Sequence, residues 1–288
     1  MTAPNTVDER YPVPATPGGI AHELRATAMV WRRELIRFRH DRTRMFALLL
    51  QPLLFLFVMG TGLSSVVRDT GGLDFRTFLF PGVLAMSVLF SAAFAGISLV
   101  WDREFGFLRE MLVAPVSKSA IILGKCLGGA TTATLQTVVL LALAGLVGVP
   151  YDPLLLLTLL ALLFVGSLML TALGVLISAR IKQLQAAMPA TQLIITPMMF
   201  LSGALFPMSN LPDWLAVLTK INPLTYVVQP MRAVVFDHID ITPAALAAFD
   251  PSITWAGWQV PIALQVLVAL ACTGAIVVAG VALFNRTD

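Results

Sequence analysis

"WDREFGFLREMLVAPVS", Trp101 to Ser117, holds five charges: Asp102, Arg103, Glu104, Arg109 and Glu110. Long apolar runs flank it on both sides, and neither would fold unaided in water. The 288-residue chain is 58% hydrophobic and 12% charged, with a mean hydropathy of +0.86. A soluble domain carries about a quarter charged residues, so this balance belongs to a membrane protein. The charged segment is then a connection between membrane spans.

A spanning helix needs about 20 mainly apolar residues. Six stretches qualify, roughly 45–67, 78–101, 119–147, 154–178, 186–206 and 257–283. They are too long and too uniformly apolar for barrel strands, which alternate. The expected fold is an all-α polytopic bundle of six transmembrane helices, with Pro52, Pro189 and Pro197 as kinks. Pro4, Pro12, Pro14, Pro17, Asp8 and Glu9 make residues 1–19 a disordered tail, without the apolar core of a signal peptide. Residues 20–44 read as an amphipathic helix. Leu24, Ala28, Trp31, Leu35 and Phe38 recur at helical spacing, with five arginines off that stripe. Such a helix is expected to lie in the cytoplasmic interface. Residues 45–288 are the six-helix domain.

Lys and Arg set the orientation. With cytoplasmic termini, 15 of them fall inside. Only four, Arg68, Arg76, Lys220 and Arg232, fall outside. The positive-inside rule favours this arrangement. It puts Trp101–Ser117 in the cytoplasm. On a helical wheel Trp101, Phe105, Leu108 and Leu112 share its apolar face, Glu104 borders that face, Gly106 leaves room for close approach and Pro115 ends the helix. That face needs lipid, the bundle or another protein against it.

The segment between spans five and six is expected outside. Residues 213–221 and 223–236 are apolar, yet Lys220, Pro230 and Arg232 make a full crossing costly. A re-entrant helical hairpin fits better, as a plug or an outer gate. A buried Arg232 needs a carboxylate, a carbonyl or water, and Asp213 and Asp237 are nearest in sequence. Residues 237–256 read as a polar external loop.

The stretch Arg103–Lys125, "REFGFLREMLVAPVSKSAIILGK", resembles the first cytoplasmic loop of ABC-2-type exporter permeases, especially daunorubicin-resistance-type drug-export permeases. Arg103, Glu104, Gly106, Leu108, Pro115, Gly124 and Lys125 match. Phe107 stands where Thr is usual and Arg109 where Glu is usual. A second stretch, Ser202–Arg232, "SGALFPMSNLPDWLAVLTKINPLTYVVQPMR", resembles the family's C-terminal signature through Leu211-Pro212, Pro223-Leu224, Tyr226 and Arg232. The resemblance implies that the loop is a coupling helix docking on a separate ATPase subunit. Its contact residues would be Arg103, Glu104, Phe105, Gly106, Leu108, Arg109 and Glu110. It implies an extracellular gate at Leu211, Pro212, Pro223, Tyr226 and Arg232. It also implies two ATPase copies, a second permease copy forming a homodimer, and a bacterial inner (plasma) membrane.

The chain itself is expected to be a transport subunit rather than an enzyme, with no cofactor; ATP and Mg belong to the partner. No Walker A is present: Gly124-Lys125 lacks a glycine at position 119, which is Ser, and is followed by Cys126. His22, His40 and His238 are far apart, so no metal site is expected. The arginines are explained by topology, so no nucleic-acid partner is expected. Cys126 and Cys272 lie in apolar runs as buried thiols. Gly124-x-x-x-Gly128 permits close helix packing, within the chain or across a dimer. Sparse intramembrane charge suggests a small amphiphilic substrate, drug-like or lipid-like, that contacts membrane lipid, and a path without a charged relay. Alternatives are a polysaccharide or glycolipid exporter permease and, in another class, an ATP-independent channel or structural membrane protein.

Overall fold

The computed structural model describes residues 19–67, 74–113, 116–209, 211–249, 252–255 and 257–287. The expected disordered tail therefore lies outside the described residues, apart from Gly19. Twelve α-helices follow in chain order among the described residues. The first half holds α1 (Ile20–His40), α2 (Arg42–Leu54), α3 (Gly60–Val67), α4 (Phe75–Glu104), α5 (Phe107–Val113) and α6 (Lys118–Leu141). The second half holds α7 (Pro153–Ser178), α8 (Leu184–Phe200), α9 (Asp213–Ile221), α10 (Thr225–Phe236), α11 (Pro243–Ala248) and α12 (Ile262–Thr287). Two short strands, β1 (Thr254–Trp255) and β2 (Trp258–Gln259), pair antiparallel, with Trp255 opposite Trp258. The expected loop at 237–256 is thus partly ordered, by α11 and this hairpin.

Four of these segments are long and apolar enough to cross a membrane: Arg42–Ser64, Phe75–Glu104, Pro153–Ser178 and Ile262–Phe284. Six were expected. The other two stretches are helical but weaker. α6 is diluted by glycines, threonines and Lys125. α8 has 17 residues, about 25 Å of helix, against a hydrocarbon core of about 30 Å. Pro52 is followed by a π-helical turn at Phe55–Met59, the kind of local rewinding that a missing backbone donor invites. α8 runs on through Pro189 and ends three residues after Pro197, whose carbonyl accepts from Leu201 N.

α4 is the axis of the bundle. Most of its length is buried against α2, α3, α6, α7, α8 and α10. At the rim the burial reverses. Only 17% of the apolar stretch of α12 is buried, and Leu267, Leu270 and Val278 stand exposed. An apolar surface of this extent in water would drive aggregation; in a bilayer, lipid covers it.

Small residues bring the helix axes together. A Cβ on Gly96 of α4 would lie 2.3 Å from the carbonyl carbon of Gly174 in α7. On α6, a Cβ on Gly124 would meet Val30 Cβ at 2.6 Å, and one on Gly128 would meet Glu34 Cβ at 2.6 Å. The Gly124-x-x-x-Gly128 face thus packs within the chain, against α1. The two helices run in the same direction, because Glu23 meets Ser117, Thr27 and Val30 meet Gly124, and Glu34 meets Gly128. From sequence, α1 is expected to lie with its apolar stripe on the interface. The structure sets Ala26, Val30 and Glu34 along α6 and leaves Leu24 and Trp31 of the stripe exposed. Asp41 interrupts the chain between α1 and α2 and caps α2, its carboxylate accepting from Arg44 N at 3.2 Å.

These contacts separate two glycines. Gly96→Ala puts a methyl against backbone that cannot move aside, and overpacking of this kind costs about 1–3 kcal/mol. Gly274→Ala in α12 meets nothing within 4 Å and gains about 0.5–1 kcal/mol of helix propensity. Thermal unfolding of the full chain in detergent should show Gly96→Ala melting lower and Gly274→Ala at or above the parent. Equal melting of the two variants would contradict the α4–α7 contact.

Candidate functional site at the charged end of α4

The helix expected across 101–115 is two helices. α4 ends at Glu104, Gly106 takes φ +83, and α5 begins at Phe107. Gly106 is therefore needed for its left-handed backbone. Nothing in this chain lies within 4 Å of an added Cβ there. The break rotates α5 relative to the wheel drawn from sequence. Pro115, the expected terminator, lies outside the described residues.

The last turn of α4 sends three consecutive charges to different helices. Asp102 is 1% exposed and accepts from Arg33 of α1, with Arg37 of α1 at 3.7 Å. Its other oxygen pairs with Lys125 of α6. Lys125 is 2% exposed and donates also to Glu34 Oε1 at 3.0 Å and Ser98 Oγ at 3.1 Å. The ammonium thus has two hydrogen bonds and one further ion-pair contact. Arg103 turns to the end of α7. Its guanidinium donates to the carbonyls of Ser178 (3.2 Å), Ala179 (3.0 Å) and Ile181 (2.6 Å). It caps the negative end of that helix, a placement worth about 0.3–1 kcal/mol at a surface and up to about 2 kcal/mol when partly buried. Glu104 accepts from Leu184 N at 2.8 Å, at the positive first turn of α8.

α5 has an inner and an outer side. Leu108 is 2% exposed and plugs a cluster with Leu99, Ile122, Cys126, Ala172, Val175 and Phe284. Phe105, Phe107, Glu110 and Val113 are exposed. Arginines of α1 roof this surface. Arg37 lies 5.7 Å from the Trp101 ring and Arg33 lies 6.0 Å from the Phe107 ring. Arg33 also reaches Met111 Sδ at 3.1 Å. Of the seven residues implied as partner contacts, Arg103, Glu104 and Leu108 hold the chain's own helices, and Gly106 makes the bend. Phe105 and Glu110 face outward. The side chain of Arg109 lies outside the described residues. Phe107 and Val113 join the exposed side, a result of the bend that a continuous wheel does not show.

The other residues missed from sequence are Glu34, Asp102 and Lys125 as one buried network. Lys125 was counted among loop charges, and no charged relay was expected. A signal was present nonetheless: an ionisable residue well inside an apolar run needs a partner.

At the opposite end of the bundle, α9 and α10 are two short helices separated by Asn222–Leu224. Arg232 is fully buried and stacks 4.0 Å from the Phe78 ring of α4. It donates to the carbonyls of Gly203 (3.0 Å) and Ala204 (3.2 Å), just past the end of α8, and to Gln229 Oε1 at 3.4 Å. Carbonyls, and not Asp213 or Asp237, are its partners. Tyr226 donates to the Lys220 carbonyl at 2.8 Å and accepts from Trp255 Nε1 at 3.1 Å. Asn222 ties this pair to α8 by donating to the Met198 carbonyl at 2.7 Å. Pro223 is half-buried beside Asn222, while Leu211 and Pro212 open α9 at the surface. Arg232 and Tyr226 are thus brought together through α10; Leu211 and Pro212 sit apart from them.

Comparison with known proteins agrees with this layout. The family model described as ABC-2 type transporter matches residues 25–236, from α1 through α10. Nodulation protein J of Rhizobium leguminosarum bv. trifolii is 29% identical over 229 residues, 78% of this chain and 86% of that protein. The putative transport permease ycf38 of Pyropia yezoensis is 30% identical over 217 residues, 72% of this chain and 70% of that protein. Its counterpart in Cyanophora paradoxa is 26% identical over 208 residues, 70% and 71% of the two chains. With apolar helices that lipid must cover and a family model over most of its length, the chain is a multi-pass membrane protein of the ABC-2 type transporter family, whose membership implies an ATP-binding-cassette ATPase as partner.

Proposed function

We propose that the chain is the permease subunit of an ATP-driven exporter, moving a hydrophobic or amphiphilic substrate out of the cell across a bacterial inner membrane. The observation that carries this reading is the end of α4. Its last turn grips α1, α6, α7 and α8, and the next two residues bend the chain into α5, which exposes Phe105, Phe107, Glu110 and Val113. An exposed aromatic patch joined rigidly to four helices suits a docking surface that passes on a push. The ATPase would bind there and carry ATP and Mg. Two copies of this chain with two ATPases form the working assembly. All six helical stretches cross the membrane in this reading, α6 and α8 sheltered by α4 and α7. Both termini are cytoplasmic, as the charge split favours.

The substrate reading rests on a groove beside α8. Phe90, Phe94, Ile97 and Met188 line it, with Thr191 and Gln192 as its polar members. Mostly apolar walls with a few polar groups suit an amphiphile. The α9–α10 hairpin would act as the outer gate, latched by Arg232.

Two experiments test these assignments. Val113→Asp and Glu110→Lys change the exposed side of α5 at positions away from Arg33 and the network behind it. Both should cut co-purification with the ATPase about tenfold, equivalent to about 1.4 kcal/mol, while the chain inserts and folds normally. Undiminished binding by both would rule out this docking face. For topology, cysteines at Glu110, Lys182 and Asp240, all exposed, should be told apart by an impermeant thiol reagent on whole cells. Asp240→Cys should label and the other two should not. Labelling at position 110 with protection at 240 would invert the arrangement.

A further inference from the structure

The buried network at the end of α4 is costly by ordinary standards. Charges taken from water are repaid only by near-complete pairing, and an apolar substitute of equal volume is often as stable. Here Lys125 forms an ion pair with Asp102 of α4 and donates hydrogen bonds to Ser98 of α4 and Glu34 of α1. Each of three helices contributes a charge. Packing alone holds them loosely along their axes. Lipid is as apolar as the side chains, so there is no hydrophobic penalty for sliding. The α1–α6 contact seats Val30 at Gly124 and Glu34 at Gly128, two glycines one helical turn apart, so a slip of one turn brings Val30 to an equivalent seat. A slip of α1 by one helical turn, about 5.4 Å, would carry Glu34 out of reach of Lys125 and leave its buried carboxylate without its counter-charge.

We propose that Glu34, Asp102 and Lys125 form a register lock that fixes α1, α4 and α6 along their axes, so that the three helices move as one body when α5 is displaced. The displacement of α5 rests on the ATP-driven reading above; the lock is a property of this chain alone. The path into the lock is short. Asp102 lies two residues before the last residue of α4, and Arg33, its partner on α1, also touches Met111 of α5. A small polar cavity beside Glu34 and Ser98 leaves room for the side chains to adjust without unpairing. Ser91 Oγ is buried at its wall and has no hydrogen-bond partner among the described residues, so water is the fitting occupant. These three are positioning residues: they touch neither ATPase nor substrate.

The test uses the full chain in lipid nanodiscs, without any ATPase, with Cys126 and Cys272 replaced by Ala. Trp31→Cys with Thr131→Cys reports the native register, since Trp31 Nε1 donates to Thr131 Oγ1 at 3.1 Å. Trp31→Cys with Leu135→Cys reports a slip of one turn. A short bifunctional thiol reagent should link only the first pair in the parent chain. In the neutral variant Glu34→Gln, Asp102→Asn, Lys125→Met, the second pair should link about tenfold faster or more, because no buried charge then resists the slip. Lys125→Arg keeps the charge and should restore the parent pattern, which a mere volume effect would not do. If the triple variant does not purify as a single folded species, Glu34→Gln alone carries the test, and the displaced link must still rise. An unchanged pattern in the neutral variant, or slippage in Lys125→Arg, overturns the lock. Since no ATPase is present, failure of the docking assignment leaves this result untouched.

Discussion

The ion pair between Asp102 and Lys125 is the contact on which the charged end of the bundle depends. Both residues are almost wholly buried among apolar helices. Removing either leaves the other only part of its pairing, Arg33 for Asp102 or Glu34 for Lys125. The loss approaches that of a broken buried pair, about 3–5 kcal/mol, as the remaining partner weakens. That penalty is what makes the arrangement specific. Apolar helices in lipid have many packings of similar energy, whereas an ion pair of this kind has one. From Asp102 the constraint spreads through its chain neighbours: Arg103 holds the end of α7, and Glu104 holds the start of α8. Three adjacent side chains thereby convert a helix end into a junction of five helices.

The opposite end repeats the device in simpler form. Arg232 caps the chain just past α8 with two carbonyl contacts, much as Arg103 caps α7. In both places a guanidinium spends its fan of donors on the carbonyls that a helix end leaves unpaired. Phe78 gives Arg232 a ring face instead of a counter-charge. The residues that mark the family therefore serve first to join helices. α8 is held at both ends, by Glu104 at one and by Arg232 at the other, which makes it the element through which the two ends of the bundle are connected.

Much of this was legible from sequence, and the omissions have physical causes. The apolar runs showed as helices because a bilayer admits little else. Residues 213–221 and 223–236 emerged as a pair because Asn222-Pro223 breaks the run. The helical wheel over 101–115 failed at Gly106, since a single left-handed residue resets the phase of everything after it. Phe107 and Val113 were missed for that reason. Glu34 was hidden in a surface-like amphipathic pattern, because periodicity shows that a face is polar but not that another helix covers it. Lys125 was absorbed into a topology count, where a charge is tallied by side and its depth is ignored. The carbonyl partners of Arg232 had no signature at all, since backbone acceptors leave no mark in sequence.

The central claim is that the charged end of α4 makes the adjoining ends of α1, α6, α7 and α8 a single body. Pulsed electron resonance distances test it most directly. Spin labels at Arg32 on α1, Lys182 between α7 and α8, and Asp240 at the far end are all at exposed sites. They would be measured in the complex with its ATPase, with and without ATP. The account predicts that the distance between 32 and 182 keeps one narrow, unchanged peak, while both distances to 240 shift together. A change between 32 and 182 on ATP binding, with the complex intact, would contradict it.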